Sequence, residues 1–134
     1  MTGITDLNTL IATMKPEQAP EMFVFVSVLH PTTQMFASAK GMFVEKEGVT
    51  FILQEKIAQE LEIEGDGPYA CITLNVHSSL EAVGLTAAFT KALATANISA
   101  NVVAGYYHDH IFVAKRDAQD AMNVLKALSD RATP

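Results

Sequence analysis

Several residue types that mark particular classes of protein are scarce in this 134-residue chain. It has no tryptophan and only one cysteine, Cys71, so no internal disulfide can form. We expect Cys71 to pack as a small apolar side chain in a cytoplasmic protein. No apolar run approaches the roughly 20 residues of a membrane-spanning helix, and the N-terminus lacks a signal-peptide pattern, so we expect no membrane contact.

Positive charge is scarce in one half of the chain only. Residues 1–70 carry four Lys and Arg against ten Asp and Glu, whereas residues 71–134 carry five of each, so the first half holds the whole net charge of −6. Nucleic-acid binding needs clustered Lys and Arg to contact phosphates, and because no such cluster occurs we expect no nucleic-acid partner. The hydrophobic content of 49% indicates a globular chain.

A strand, a loop and a helix are predicted at the start of the second half. Apolar and polar side chains alternate over residues 72–76, which predicts a half-buried strand. A polar loop over residues 77–87 follows this strand. A helix is predicted next from apolar residues at helical spacing, namely Ala88, Phe89, Ala92, Leu93 and Ala96. Asn97 follows the last of them and is suited to a left-handed C-terminal cap of this helix.

Two more strands and a last helix complete the second half. Residues 99–107 and 111–114 predict strands that flank a polar turn, His108-Asp109-His110, and Asp117 is predicted to cap a helix ending near Leu128. This order is most of a ferredoxin-like βαββαβ unit, which needs a fourth strand beside its first. Only six residues follow the last helix, so we predict that residues 22–29 supply that strand and that the two halves interlock in one sheet.

The first half shows weaker versions of the same patterns. Gly65-Asp66-Gly67-Pro68 is the strongest turn signal in the chain and marks a boundary between halves at 1–68 and 69–134. The other predicted elements are a helix over residues 7–14 capped by Thr5 or Asp6, a linker at Glu17–Pro20, a strand over 22–29 buried on both faces, a hairpin of 42–45 and 49–53 turning at Lys46-Glu47-Gly48, and a short helix around 57–61.

Two segments of the second half resemble the ACT domain, a small regulatory domain that binds amino acids. They are ThrLeuAsnValHisSerSerLeuGluAlaValGlyLeuThrAla (73–87) and AsnIleSerAlaAsnValValAlaGlyTyrTyrHisAspHisIlePheVal (97–113). The whole chain is similar to compact bacterial proteins made of two ACT-like units, and these segments are similar to the ACT repeats of the cytosolic arginine sensor of animals. The resemblance implies an α+β fold, a ferredoxin-like sandwich in which an antiparallel sheet carries helices on one face.

The loop before the helix is the first candidate site. Ser78 and Glu81 fit a Ser-x-x-Glu capping box, which alone could explain both residues. With the resemblance, Gly84 would let a ligand approach the backbone, and amides near Gly84 and Leu85 would bind a carboxylate at the positive end of the helix. The candidate residues in this segment are Ser78, Ser79, Glu81, Val83, Gly84, Leu85 and Thr86.

The polar turn after the first hairpin strand is the second candidate site. Without a ligand, this segment is interpreted as a solvent-exposed hairpin turn. In the resembling sensor family an acidic residue at the position of Asp109 faces the ligand, so Asp109 becomes a candidate partner for an amino group, with Tyr106, Tyr107 and His108 beside it. The histidines that flank Asp109 here depart from the family pattern.

Two alternatives to a ligand-binding protein stay open. A metal-dependent hydrolase would need His77, His108 and His110 to converge on one ion, and a structural oligomerisation module would need residues 78–86 buried at an interface. No nucleophile elbow or phosphate-binding loop is present, so we expect no catalysis, no cofactor and no bound metal. The preferred hypothesis is a cytoplasmic regulatory protein that binds an amino acid or similar small ligand and assembles as a homodimer or larger oligomer.

Overall fold

The computed structural model of the chain describes residues 3–76 and 83–132, apart from the side chains of residues 3–6 and 83. In this described part, no helix is long and apolar enough to span a membrane. The elements are, in chain order, α1 (Gly3–Ala12), β1 (Pro16–Val28), α2 (Thr33–Ser38), β2 (Gly41–Glu45), β3 (Gly48–Gln54), α3 (Glu55–Glu60), β4 (Asp66–Leu74), α4 (Val83–Thr95), β5 (Ala100–Ala104), β6 (Asp109–Ala114), a 3-10 turn (Lys115–Asp117) and α5 (Ala118–Arg131).

The strands follow the hydrogen-bonded order β2-β3-β1-β4-β6-β5 in an antiparallel sheet. Two compact units are present, one formed by residues 20–70 and the other by residues 1–19 together with 71–134. Because each boundary falls inside a strand, β1 and β4 contribute residues to both units. This topology confirms the predicted ferredoxin-like α+β fold and the prediction that a first-half strand lies beside β4.

The unit of residues 20–70 has a core on one face of its strands. Val24 pairs with Leu53 and Val26 pairs with Phe51 in the antiparallel register of β1 and β3. Buried side chains from these strands and from α2 and α3 form one cluster, consisting of Val24, Val26, Met35, Phe51, Leu53 and Ala58. β1 is buried on both faces only near Phe23 and Val24, since Ser27 is exposed. The β2–β3 hairpin is confirmed.

Residues Glu17–Pro20 belong to β1, so the predicted linker is wrong. The carboxylate of Glu17 accepts a hydrogen bond from the side-chain amide of Asn75 at 2.9 Å, and the carbonyl of Lys15 accepts one from the same amide at 3.1 Å. These partners lie about 60 residues away, where the local composition gives no sign of them. The predicted caps of α1 are also wrong, because the helix begins at Gly3 and includes Thr5 and Asp6.

The strongest predicted turn, Gly65-Asp66-Gly67-Pro68, is instead the start of β4, which begins at Asp66. A Cβ atom on Gly65 would lie 2.8 Å from the carbonyl oxygen of Phe25, and one on Gly67 would lie 2.8 Å from that of Phe23. These glycines therefore permit a close approach of the backbone of β1, a role that glycine also has in strands.

The unit of residues 1–19 and 71–134 contains the strands β6 and β5, the C-terminal part of β4, and three helices that contact one another. α1 is joined to the rest of the unit by the amide of Asn75, which donates to the carbonyl of Met14 at 2.7 Å, and by the hydroxyl of Ser129, which donates to that of Ala12 at 3.0 Å. The Met14 side chain is fully buried.

The ends of α4 and α5 test two predicted caps. Asn97 has a φ of 61°, and the amide of Ile98 donates to the carbonyl of Leu93 at 2.9 Å, which confirms the left-handed cap of α4. Asp117 stands at the N-cap position of α5 but makes no side-chain capping hydrogen bond, so its predicted capping role is wrong. A 3-10 turn that ends at Asp117 leads into α5 instead.

Candidate functional site

The connection between β5 and β6 is longer and more aromatic than its counterpart between β2 and β3. Ala104 pairs with Asp109, so the connection is the four residues Gly105–His108, and the amide of Gly105 donates to the carbonyl of His108 at 2.8 Å. The prediction that His108-Asp109-His110 forms the turn is wrong, because Asp109 and His110 already belong to β6. β6 thus begins earlier than the predicted strand at residue 111, and β5 ends at Ala104 rather than at residue 107 as predicted.

Asp109 is buried although it carries a carboxyl group. Its exposed fraction is 5%, and it is the one charged or polar residue in the buried set of the described chain. Burial raises the pKa of the Asp109 carboxyl because the charged form loses solvation, and the neighbouring His110 offsets part of that rise. Ionisable groups whose pKa is perturbed by burial cluster at functional sites, so Asp109 is a candidate site residue.

The two histidines beside Asp109 have different surroundings. The Nδ1 atom of His110 lies 3.0 Å from the hydroxyl oxygen of Thr73 on β4. The Nδ1 atom of His108 is buried and has no hydrogen-bond partner among the described residues. Thr73 was not among the predicted site residues; the alternation of polar residues along β4 is the sequence signal that could have identified it.

Two tyrosines in the connection just before Asp109 in the sequence are exposed. Tyr106 is 82% exposed and Tyr107 is 63% exposed. Their rings meet edge to face with centroids 4.9 Å apart, and the ring of Tyr107 lies 6.4 Å from that of His108. Aromatic faces beside an acid attract cations, through the ring quadrupole as well as the charge.

The start of α4 supplies the other predicted group of site residues. α4 begins at Val83, so the amides of Gly84 and Leu85 lie in its first turn, where helix geometry leaves N–H groups without partners inside the helix. The Leu85 side chain is fully buried, whereas Thr86 is exposed and its carbonyl accepts from the hydroxyl of Thr90 at 2.6 Å. Ser78, Ser79 and Glu81, together with His77, lie outside the described residues.

Gly84 has a packing role in addition to any role with a ligand. A Cβ atom on Gly84 would lie 2.8 Å from the Cδ2 atom of Leu7 on α1. A bulky side chain at this position would therefore displace Leu7 before it reached a ligand. Such a substitution would therefore disturb the packing of α1 as well as any approach of a ligand.

The contact between Thr73 and His110 brings the two predicted groups toward the same end of the sheet. It places the C-terminal end of β4 beside the beginning of β6. The chain therefore leaves β4 toward α4 at the end of the strands where the β5–β6 hairpin also lies. The described residues contain no group of three or more His, Cys, Asp and Glu side chains arranged to hold a metal ion.

Comparison with known proteins relates this chain to one domain family over nearly its full length. Two family models described as ACT domain match residues 2–70 and residues 67–127. No protein of curated function matches the sequence. The solved structures supply the remaining similarities.

The solved structures include one that is similar in sequence as well as in fold. A Vibrio cholerae protein of unknown function, described as a possible transport protein, is 42% identical over 96% of this chain and 99% of its own, with a TM-score of 0.84. A protein from Agrobacterium tumefaciens is 14% identical over 81% and 84% of the two chains, with a TM-score of 0.66. The regulatory subunit of aspartate kinase from Thermus flavus is 10% identical over 84% and 95%, with a TM-score of 0.62. The last two share the fold alone, whereas the family models and the Vibrio cholerae relative show that this chain belongs to the ACT-domain family.

Proposed function

We propose that this protein is a cytoplasmic, non-catalytic regulatory protein that binds an amino acid at the sheet end formed by the β5–β6 hairpin and the start of α4. The observation that carries the proposal is the buried Asp109 carboxyl beside two exposed tyrosines. Membership in the ACT-domain family, and the similarity in fold to an aspartate kinase regulatory subunit, agree with a regulatory role.

The ammonium group of the ligand would pair with Asp109. A carboxylate held away from water is poorly solvated, so an incoming cation restores interactions that burial removed. Such a charge-assisted hydrogen bond contributes about 1.5–3 kcal/mol. The faces of Tyr106 and Tyr107 would shield the pair from water and add a cation–π attraction.

The carboxylate group of the ligand would accept hydrogen bonds from the first turn of α4. The amides of Gly84 and Leu85 are placed where the helix dipole favours negative charge. Residues Ser78, Ser79, Glu81 and Val83 would complete this side of the site, with His108 beside Asp109 on the other. A site with both polarities rejects a ligand that lacks either charge, because one buried group would be left without a partner.

A thermal-shift screen of the twenty amino acids, followed by calorimetry on any that stabilise the protein, tests the proposal. Asp109→Asn keeps the shape of the side chain and removes its charge, so we expect binding to weaken by about tenfold or more. The matched control is Asp120→Asn, which removes a charge from an exposed position on α5. Failure of every amino acid to bind, or equal affinity in Asp109→Asn, would count against this site.

The pH dependence of binding adds a readout specific to Asp109. Because burial raises the pKa of this carboxyl, it ionises at a higher pH than an exposed aspartate does, and only the ionised form pairs with an ammonium group. Affinity should therefore increase as the pH rises through the raised pKa and then level off. Asp109→Asn should lose this increase while remaining folded.

One observation favours an oligomerisation role as a second function. β2 is the outermost strand of the sheet, and its consecutive residues Met42, Phe43 and Val44 are exposed by 43%, 71% and 71%. Apolar edge strands of this kind pair with other chains unless something covers them. We propose a homodimer in which β2 pairs with its copy.

Light scattering at micromolar concentration tests the dimer. A charge on an edge strand blocks pairing, so Phe43→Glu should yield a monomer. Leu29→Glu is the control, because Leu29 is 74% exposed but lies just after β1 and not on the edge strand. A monomeric unsubstituted protein would contradict the dimer and leave the amino-acid site untouched.

A further inference from the structure

A groove between α4 and α5 lies outside the site proposed above. Its volume is about 560 Å³, within the usual range of small-molecule sites. Ala88, Ala92, Val124 and Leu128 form its half-buried apolar lining. Such a lining removes the hydrocarbon part of a ligand from water.

The charge of this groove differs from that of the rest of the molecule. Lys91 on α4 and Arg131 on α5 both line it and both are exposed, and none of the residues that line it is acidic. The chain as a whole carries a net charge of −6. A purely cationic surface in an acidic protein indicates an anionic occupant, because elsewhere the protein repels anions.

The sequence of α4 gives an independent reason to expect an occupant. Lys91 is the one charged side chain among the thirteen residues of this helix. A surface helix ordinarily presents charged residues to water, and a helix that is apolar on most sides is usually covered. Apart from Lys91, the exposed residues of α4 are alanine and threonine, so no acidic side chain on this helix competes for the cations of the groove.

We propose that the groove between α4 and α5 binds an amphiphilic monocarboxylate, such as a medium-chain fatty acid. The carboxylate lies between Lys91 and Arg131, and the guanidinium of Arg131 can bind it with two parallel hydrogen bonds. The hydrocarbon chain lies on the alanine, valine and leucine side chains. This site is independent of the amino-acid site, since neither Asp109 nor the hairpin tyrosines line the groove.

Calorimetric titration of the full chain with dodecanoate, kept below its micelle concentration, tests the proposal. We expect one dodecanoate per chain, and much weaker binding of butyrate, which has the charge without the tail, and of dodecanol, which has the tail without the charge. Ala92→Glu places a carboxylate on the groove wall and should weaken binding by about tenfold or more. Arg131→Gln should weaken it several-fold.

Matched variants separate the groove from the general surface. Ala94→Glu makes the same change at an exposed position on α4 that does not line the groove, and Lys126→Gln removes a cation from α5 away from it. Both should leave dodecanoate affinity unchanged. No binding, binding of several molecules per chain, or equal affinity in Ala92→Glu and Ala94→Glu would overturn the proposal. If Ala92→Glu instead converted a dimer to a monomer in light scattering, a second copy would occupy the groove and the proposal would be wrong.

Discussion

The two halves of the chain use the same order of elements but differ in the length and composition of their hairpin connections and in the length of their helices. In the first half, Lys46 and Glu47 alone join β2 to β3, and the helices α2 and α3 have six residues each. In the second half, four residues with two exposed tyrosines join β5 to β6, and α4 and α5 have thirteen and fourteen residues. The fold is therefore duplicated without duplication of the chemistry at the sheet ends.

The first turns of α2 and α4, the helices that follow β1 and β4, also differ between the two halves. The hydroxyl of Thr32 accepts a hydrogen bond from the amide of Met35 at 3.3 Å, so the first turn of α2 is satisfied by the chain itself. The first turn of α4 instead contains Gly84, where a Cβ atom would lie 2.8 Å from the Cδ2 atom of Leu7 on α1. This difference teaches that one copy of a duplicated fold can start its helix with a side-chain cap while the other packs a glycine closely against a neighbouring helix.

The largest predicted effect concerns the independence of the halves. Residues 69–134 expressed alone should show no cooperative thermal transition, because they lack the buried Met14 and the backbone partners of Asn75. Circular dichroism during heating would measure this, with the full chain as the control. A sharp transition in the fragment would show that the second half folds without the first, and would support a division at residues 68 and 69.

A smaller effect should separate two glycines, one from each half. In Gly65→Ala the new methyl group would meet the backbone carbonyl of Phe25, which cannot move easily, so we expect a loss of about 1–3 kcal/mol of stability. In Gly84→Ala it would meet only the end of the flexible Leu7 side chain, and alanine favours the helix by about 1 kcal/mol.

Urea denaturation of both glycine variants would give the comparison. The free energy of unfolding should fall clearly for Gly65→Ala and stay near that of the unsubstituted protein for Gly84→Ala. Equal losses in the two variants would mean that α1 holds Leu7 as rigidly as β1 holds its backbone.

The smallest predicted effect distinguishes a helix cap that is made from one that is not. Thr32→Ala removes the hydroxyl that accepts from Met35 and should lower the free energy of unfolding by about 1 kcal/mol. Asp117→Ala removes a side chain that makes no capping bond, so it should lower the free energy of unfolding by only about a few tenths of a kcal/mol. Chemical denaturation resolves the difference; a larger loss in Asp117→Ala would reveal a capping interaction in solution.

Local patterns sufficed to predict most of the fold. The spacing of apolar residues predicted the helices α4 and α5, and alternation predicted the C-terminal end of β4. Asn97 was identified as a left-handed cap because asparagine is one of the few residues besides glycine that adopt that conformation. Each of these inferences depends on neighbours within about one turn or a few strand residues.

Two of the wrong predictions about the fold share a different cause, because each depended on a partner distant in sequence. Glu17 belongs to a strand because Asn75 binds it, and Gly65 permits a strand to approach although glycine in sequence suggests a turn. The same limit applied to the site, where burial of Asp109 and the contact of His110 with Thr73 arise from strands that only the fold brings together.

The division of the chain into one continuous unit and one split unit has a consequence for synthesis on the ribosome. The unit of residues 20–70 has all of its residues once Ala70 has left the exit tunnel, whereas residues 1–19 emerge first and their unit is complete only with the last helix. The apolar side chains of Ile11 and Met14 are buried in the folded protein, so they remain exposed to solvent while the rest of the chain is translated.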